Sequence, residues 1–183
     1  MCLFDMNVFV LNTGRCGSST FIKACQHITN FSCAHESRCH LLGEARFAYP
    51  VNHIEADNRL AWFLGKLDYY YGDNAVYVHL KRNRDATANS YSKRMFPGGI
   101  IPAYREGILQ FLPDEVALVS VCQDYYDTVN SNIELFLKDK SRKMLFELEN
   151  AKRDYPKFWE LVQAQGDINA ALAEFNTAYN ASK

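Results

Sequence analysis

Residues 7–20 read Asn-Val-Phe-Val-Leu-Asn-Thr-Gly-Arg-Cys-Gly-Ser-Ser-Thr, an apolar run that meets glycines and hydroxyls within one short stretch. The continuous Val8–Leu11 core of this run suits a strand covered on both faces. Gly14 and Gly17 let the backbone approach an anion closely, and Ser18, Ser19 and Thr20 set hydroxyls beside the open N–H groups of a helix start. A strand, a tight turn and a helix in that order form a phosphate-binding arrangement. Loops of the nucleoside-triphosphatase kind need Gly, four residues, then Gly-Lys-Ser/Thr. Here Gly17 follows Gly14 after two residues, position 18 is serine, and the neighbouring cation is Arg15. The loop therefore suits a phosphate or sulfate and argues against ordinary ATP or GTP hydrolysis.

The rest of the chain supplies the sheet that such a loop requires. Asn30–Ala34, Ala75–Leu80 and Met144–Leu148 are further candidate strands. Helices are expected over Ser18–Ile28, Asp57–Tyr71, Arg84–Met95, from about Pro113 to Phe136, and near 151–164 and 167–178. In the longest of these, Val119, Cys122, Tyr126, Val129, Ile133 and Phe136 recur three and four residues apart, an apolar stripe. Residues 36–52 and Phe96–Pro102 read as loops. Strands alternating with helices predict an α/β fold of three layers, with a central parallel sheet of about four or five strands, in a single domain over residues 1–183.

A chain of 183 residues can bury a normal core without disulfides or metal. The formal charge of −1 gives no general attraction to nucleic acid or to an acidic membrane, so any anion must be held by a few placed cations. The first residues lack a basic segment followed by a long apolar one, and no stretch reaches the length of a membrane span. The six cysteines (2, 16, 25, 33, 39 and 122) are accordingly read as reduced thiols, and the location as cytoplasmic.

A second informative stretch runs Val76-Tyr-Val-His-Leu-Lys-Arg-Asn-Arg-Asp-Ala-Thr-Ala-Asn-Ser90. Arg82 stands just past the carboxyl end of a buried strand, where open α/β sheets bind ligands, and Ser90 lies two helical turns farther on. Arg82 can grip a phosphate bidentately and Ser90 can reach the same group. Taken with Thr13–Thr20, this stretch resembles the PAPS-dependent sulfotransferase family in a small, bacterial-type form with a P-loop-like fold. The first loop is similar to the family's 5′-phosphosulfate loop, commonly Pro-Lys-Ser-Gly-Thr-Thr. Arg82 and Ser90 keep the eight-residue interval of its 3′-phosphate motif. Lys143–Glu149 and the downstream Phe158-Trp159 also resemble the family's last strand and following helices. Arg15 and Cys16 stand where many members carry lysine and serine, and the C-terminal Arg-Lys-Gly loop of the longer cytosolic members is not visible.

The resemblance implies transfer of a sulfuryl group from PAPS, leaving PAP, to an acceptor hydroxyl or amine on a small molecule or carbohydrate. No metal is required. The cofactor would be held by Gly14, Arg15, Cys16, Gly17, Ser18, Ser19, Thr20, Arg82 and Ser90. Arg15 would stabilise charge growing on the departing phosphate. The base is argued from position: Glu36 first and His35 second, on the loop after the second strand, with His53 and Glu55 weaker candidates at the entrance to the next helix. The alternatives are a small P-loop-like nucleotide kinase and a nucleotide-binding relative without turnover. Cys33, His35, Cys39 and His40 have zinc-ligand chemistry but match no common zinc spacing. A phosphatase nucleophile at Cys16 would need an arginine at position 22, which is isoleucine.

Overall fold

The computed structural model describes residues 6–177 and residue 179. Its framework is a sheet of five parallel strands, β1 (Asn7–Asn12), β2 (Ser32–His35), β3 (His53–Ala56), β4 (Ala75–Lys81) and β5 (Lys143–Glu147), in the order β2-β3-β1-β4-β5. The helices are α1 (Ser18–Cys25), α2 (Leu64–Tyr71), α3 (Arg84–Ser92), α4 (Ile100–Ala103), α5 (Leu118–Leu137), α6 (Ala151–Leu161) and α7 (Ile168–Ala173). None of the described helices is long and apolar enough to cross a membrane.

β1 is central and buried along its whole length, and its side chains alternate between two cores. Val8 and Val10 face one layer with Phe21 of α1 and Tyr155 and Phe158 of α6, where Phe21 packs edge-on against Phe146 and Phe158, each with ring centroids 5.0 Å apart. Phe9 and Leu11 face the other, with Leu67 of α2 and Tyr125, Val129 and Ile133 of α5. Sheet between two helical layers is the three-layer α/β architecture expected from the sequence. The connection after β1 leaves toward β2, whereas the one after β4 leaves toward β5 on the opposite side. A crevice therefore opens between the carboxyl ends of β1 and β4, the place where such sheets bind ligands.

Several boundaries differ from expectation. α1 stops at Cys25 rather than Ile28, because Ile28 leaves the helix to bridge Gly166 and Thr29 N–H donates to the Gln165 carbonyl at 2.7 Å. β3 is a strand that apolar patterning could not reveal, since His53 and Glu55 alternate within it with Ile54 and Ala56, yet all four are buried. The helix expected over 57–71 is broken: the Asp57 carboxylate accepts from Arg59 N–H at 2.8 Å and caps a short 3₁₀ turn, Asn58–Trp62, before α2 begins. α5 starts at Leu118, not near Pro113, and residues 100–109 hold α4 and a π-helical turn, Tyr104–Leu109, instead of plain loop. Cys2 and position 178, the end expected for the last helix, lie outside the described residues; the described cysteines are free thiols.

His79 on β4 is buried and faces α5. Asn130 donates its amide N–H to the Tyr126 carbonyl at 2.8 Å, which leaves its Oδ1 to accept from His79 Nε2 at 2.7 Å. Burial lowers the His79 pKa below its ordinary 6.5, although the Asn130 contact opposes the shift. The unfolded chain therefore takes up this proton at a higher pH than the folded one, and stability is lost as pH falls below about 6.5. His79→Gln should flatten the loss of stability between about pH 7 and pH 5 in denaturant titrations; an unchanged slope would mean that His79 does not contribute to it.

Candidate active site

The loop after β1 is built around Asn12. Its Oδ1 accepts from Gly14 N–H at 2.8 Å and lies 3.3 Å from the Cys16 sulfur, while its Nδ2 donates to the Val10 carbonyl at 2.9 Å. The backbone then enters the left-handed region at Gly14 (φ 79°), Arg15 (φ 57°) and Gly17 (φ 91°). A β-carbon on Gly14 would collide with the Tyr91 hydroxyl, and one on Gly17 would lie 2.6 Å from Leu148, so both positions need glycine for space as well as for φ. The Thr13 carbonyl accepts from the hydroxyls of Tyr91 and Tyr125, at 2.5 and 2.9 Å. Tyr126 donates to the Arg82 carbonyl at 2.8 Å. Tyr126 belongs to the apolar stripe read in the sequence; here it and the other two tyrosines also pin the backbone of both loops.

α1 begins at Ser18 with Gly17 at its cap position and no side-chain hydrogen bond capping it, so its end presents main-chain N–H groups. Ser18 and Ser19 line the cleft in front of it. Thr20 and Cys16 do not: both side chains are buried, and the expectation that they present side-chain groups to the cofactor is corrected to a backbone contribution at most. Burial pushes the Cys16 thiol up to about 12, which removes it as a nucleophile near neutral pH.

Arg15 joins the two motifs. Its Nε donates to Ser90 Oγ at 3.0 Å, and its carbonyl accepts from Arg82 Nη1 at 3.1 Å. The strand-end arginine and the helix serine, distant in sequence, thus meet the first loop in the crevice between β1 and β4. Arg82 and Ser90 do not themselves line the cleft but reach it through Arg15. Burial lowers the Arg15 pKa first, and then the charge of Arg94, with Arg82 contributing less. Like charges gathered at a half-buried position are relieved by an anion.

The cleft holds about 270 Å³. Arg15, Ser18 and Ser19 line it together with His35 and Glu36 at the end of β2. His35 Nε2 is 2.9 Å from Ser18 Oγ, and Glu36 Oε2 is 2.8 Å from Arg59 Nη1. Asn58, Arg59, Tyr91 and Arg94 complete the polar lining. None of these four was expected. Arg94 falls one turn beyond Ser90, a spacing that could have found it, but Asn58 and Arg59 were hidden in a stretch that reads as plain helix. His53 and Glu55 are corrected: they belong to buried β3 and are absent from the cleft wall. The Glu55 carboxylate accepts from Ser37 N–H at 2.7 Å and Ser37 Oγ at 2.6 Å, with His53 Nε2 3.0 Å away, and so fixes the loop that carries Glu36. Among the described residues no group of His, Cys, Asp and Glu side chains is arranged to hold a metal ion.

No protein-family profile and no curated protein matches this sequence. Among solved structures, the chain is similar to mouse sulfotransferase SULT7A1 complexed with PAP, with a TM-score of 0.57 and 11% identity over 94% of this chain. The match takes in 64% of the mouse chain, slightly under two-thirds of its length. The likeness establishes the sulfotransferase fold.

The burial of Cys16 can be checked chemically. In the native protein at about pH 8 a thiol reagent should leave Cys16 unlabelled in peptide maps, and label it once the chain is denatured. Labelling of Cys16 under native conditions would show that the loop opens to solvent.

Proposed function

We propose that the chain is a PAPS-dependent sulfotransferase acting on an acceptor hydroxyl or amine. The observation that carries the reading is the meeting of Arg15, Arg82 and Ser90 in the crevice between β1 and β4. The complex of the structurally similar mouse protein with PAP supports it. The donor set fits a phosphosulfate: an uncapped helix start, the hydroxyls of Ser18 and Ser19, and the Arg15 guanidinium, whose pKa is lowered by burial and by the charges of Arg94 and Arg82. PAPS, when bound, supplies the sulfuryl group, and its phosphate oxygen keeps the electron pair of the broken S–O bond.

In this reading the main-chain N–H groups from Gly17 to Thr20 hold the 5′-phosphate. Arg15 stabilises the charge that grows on the leaving oxygen, while Ser90 and the Arg82 contact fix its side chain and carbonyl. Arg82 and Ser90 recognise the 3′-phosphate that distinguishes PAPS from ATP. Glu36 takes the acceptor's proton. Arg59 engages Oε2 and orients the carboxylate, which leaves Oε1 for the proton. His35, held against Ser18, is the second candidate for that role.

PAP should bind at least about tenfold tighter than 5′-AMP in calorimetric titrations, and Arg82→Ala should erase most of the difference while leaving AMP binding little changed. Equal affinities for PAP and AMP in the unmodified protein would remove the sulfotransferase reading. Arg15→Ala should lower turnover by about 10² or more, beyond its effect on PAPS binding, with partial recovery in Arg15→Lys.

Glu36→Gln should lower turnover by about 10²–10⁴ with PAP binding preserved. If His35→Asn has that effect and Glu36→Gln does not, the proton passes to His35.

A further inference from the structure

β5 closes one end of the sheet, with β4 on one side and no described strand on the other. Tyr77 N–H donates to the Arg142 carbonyl at 2.9 Å, which fixes the phase of the β4–β5 pairing. Along a parallel ladder the main-chain groups of alternate residues point to opposite neighbours. Met144 and Phe146 therefore face β4, while Lys143, Leu145 and Glu147 turn their N–H and C=O groups to the open edge. The Asp154 carboxylate takes up Glu147 N–H at 3.3 Å, but no described residue pairs with the main chain of Lys143 or Leu145 on that edge. The Leu145 side chain beside it is 53% exposed. A free edge of this kind is a template for another strand. We propose that it receives the same edge of a second copy of the chain, antiparallel and centred on Leu145, so that two sheets join through β5.

The strand's own sequence selects this partner and this register. β5 reads Lys-Met-Leu-Phe-Glu from position 143 to 147. About a two-fold axis at Leu145, Lys143 of each copy stands opposite Glu147 of the other, with the apolar residues between them. Parallel pairing in register would instead set lysine on lysine and glutamate on glutamate. Lys143, Leu145 and Glu147 share one face of the strand, so the opposed charges also meet on one face. The Lys143 ammonium donates to the Leu137 and Lys138 carbonyls, at 2.6 and 2.7 Å, and has a third N–H to give. Glu147 Oε2 is engaged by Asn150 and Arg153, at 2.7 and 3.4 Å, which leaves Oε1 to accept it.

The main chain obeys the same symmetry. Leu145 N–H of each copy donates to the Leu145 carbonyl of the other, and Lys143 N–H to the Glu147 carbonyl. Asp154 already satisfies the one N–H that would otherwise extend the ladder, so the pairing stops at Glu147. The opposite edge of the sheet offers no such match: β2 reads Ser-Cys-Ala-His, carries no opposed charges, and ends at His35 held against Ser18 in the cleft. An edge of 5 residues is a small contact beside interfaces of about 1,600 Å², which sets the association in the micromolar range. The pairing does not depend on the chemistry of the cleft.

Sedimentation velocity on the whole chain, between about 1 and 300 µM, tests the pairing, with circular dichroism to show that each variant keeps the fold. The unmodified protein should pass from monomer to dimer across this range. Lys143→Glu and Glu147→Lys should each weaken the dimer by about tenfold or more, because each sets like charges opposite one another. An equimolar mixture of these two variants should pair about as well as the unmodified chain, since their charges are again complementary. Leu145→Asp, at an exposed position, should leave a folded monomer by opposing two carboxylates at the axis. Should Lys143→Glu lose the fold through its contacts with α5, Leu145→Asp decides alone. A chain that stays monomeric throughout would overturn the proposal, as would a dimer that survives Leu145→Asp. A mixture of folded variants no tighter than either one by itself would overturn the antiparallel register.

Discussion

The Thr13 carbonyl is the point on which the site depends. It accepts hydroxyls from Tyr91 on α3 and Tyr125 on α5, so the turn after the central strand is clamped from the helical layer behind it. Without that clamp, left-handed backbone at Arg15 would be hard to keep, because a side chain there disfavours positive φ. Asn12 works from the strand side, supplying an acceptor to Gly14 N–H. A strained turn persists where its surroundings over-determine it, and here strand, turn and two helices all converge on three consecutive residues. The arginine at the tip is thereby presented in one orientation, with Ser90 holding its Nε. That is preorganisation of the kind that makes an electrostatic contact effective, because little reorganisation is left for the moment of reaction.

What could be read in the sequence followed from how visibly each constraint acts on neighbouring residues. β1 and β4 are continuous apolar runs because both faces are covered, and the α5 stripe survives because one side of a long helix meets the sheet. The first loop and the Arg82–Ser90 interval were legible because glycine, hydroxyl and guanidinium groups sit at short fixed offsets. β3 was not legible: its polar side chains are satisfied by partners such as Ser37 and Ser32, far away in sequence, so local polarity misrepresents burial. Tyr126 was legible as part of an apolar stripe but none of the three tyrosines as a clamp, since a hydroxyl's partner is a tertiary fact. Asn58 and Arg59 reach the cleft because the Asp57 cap breaks a helix that propensity favours.

The buried pairing of His53 with Glu55 gives the β2 end of the cleft a foundation of a different sort. At the Thr13 turn the backbone is held by neutral tyrosine hydroxyls. At the β2 end, a wholly enclosed carboxylate accepts both the N–H and the hydroxyl of Ser37, the residue next to Glu36. Two hydrogen bonds to one buried group hold Ser37 in place, and the adjoining turn at Glu36, at φ 52°, needs such an anchor to hold a non-glycine residue.

The segment between α3 and α5 has its ends fixed by the two helices whose tyrosines grip Thr13. Its middle carries Ile100, Tyr104 and Ile108, which with Trp62 and Phe63 wall a hollow of about 380 Å³ next to the cleft. A ligand that settles against this wall therefore bears on the same pair of helices that shapes the anion loop. Thermodynamic linkage follows: occupation of hollow or cleft should alter affinity at the other by one common factor, the same in both directions.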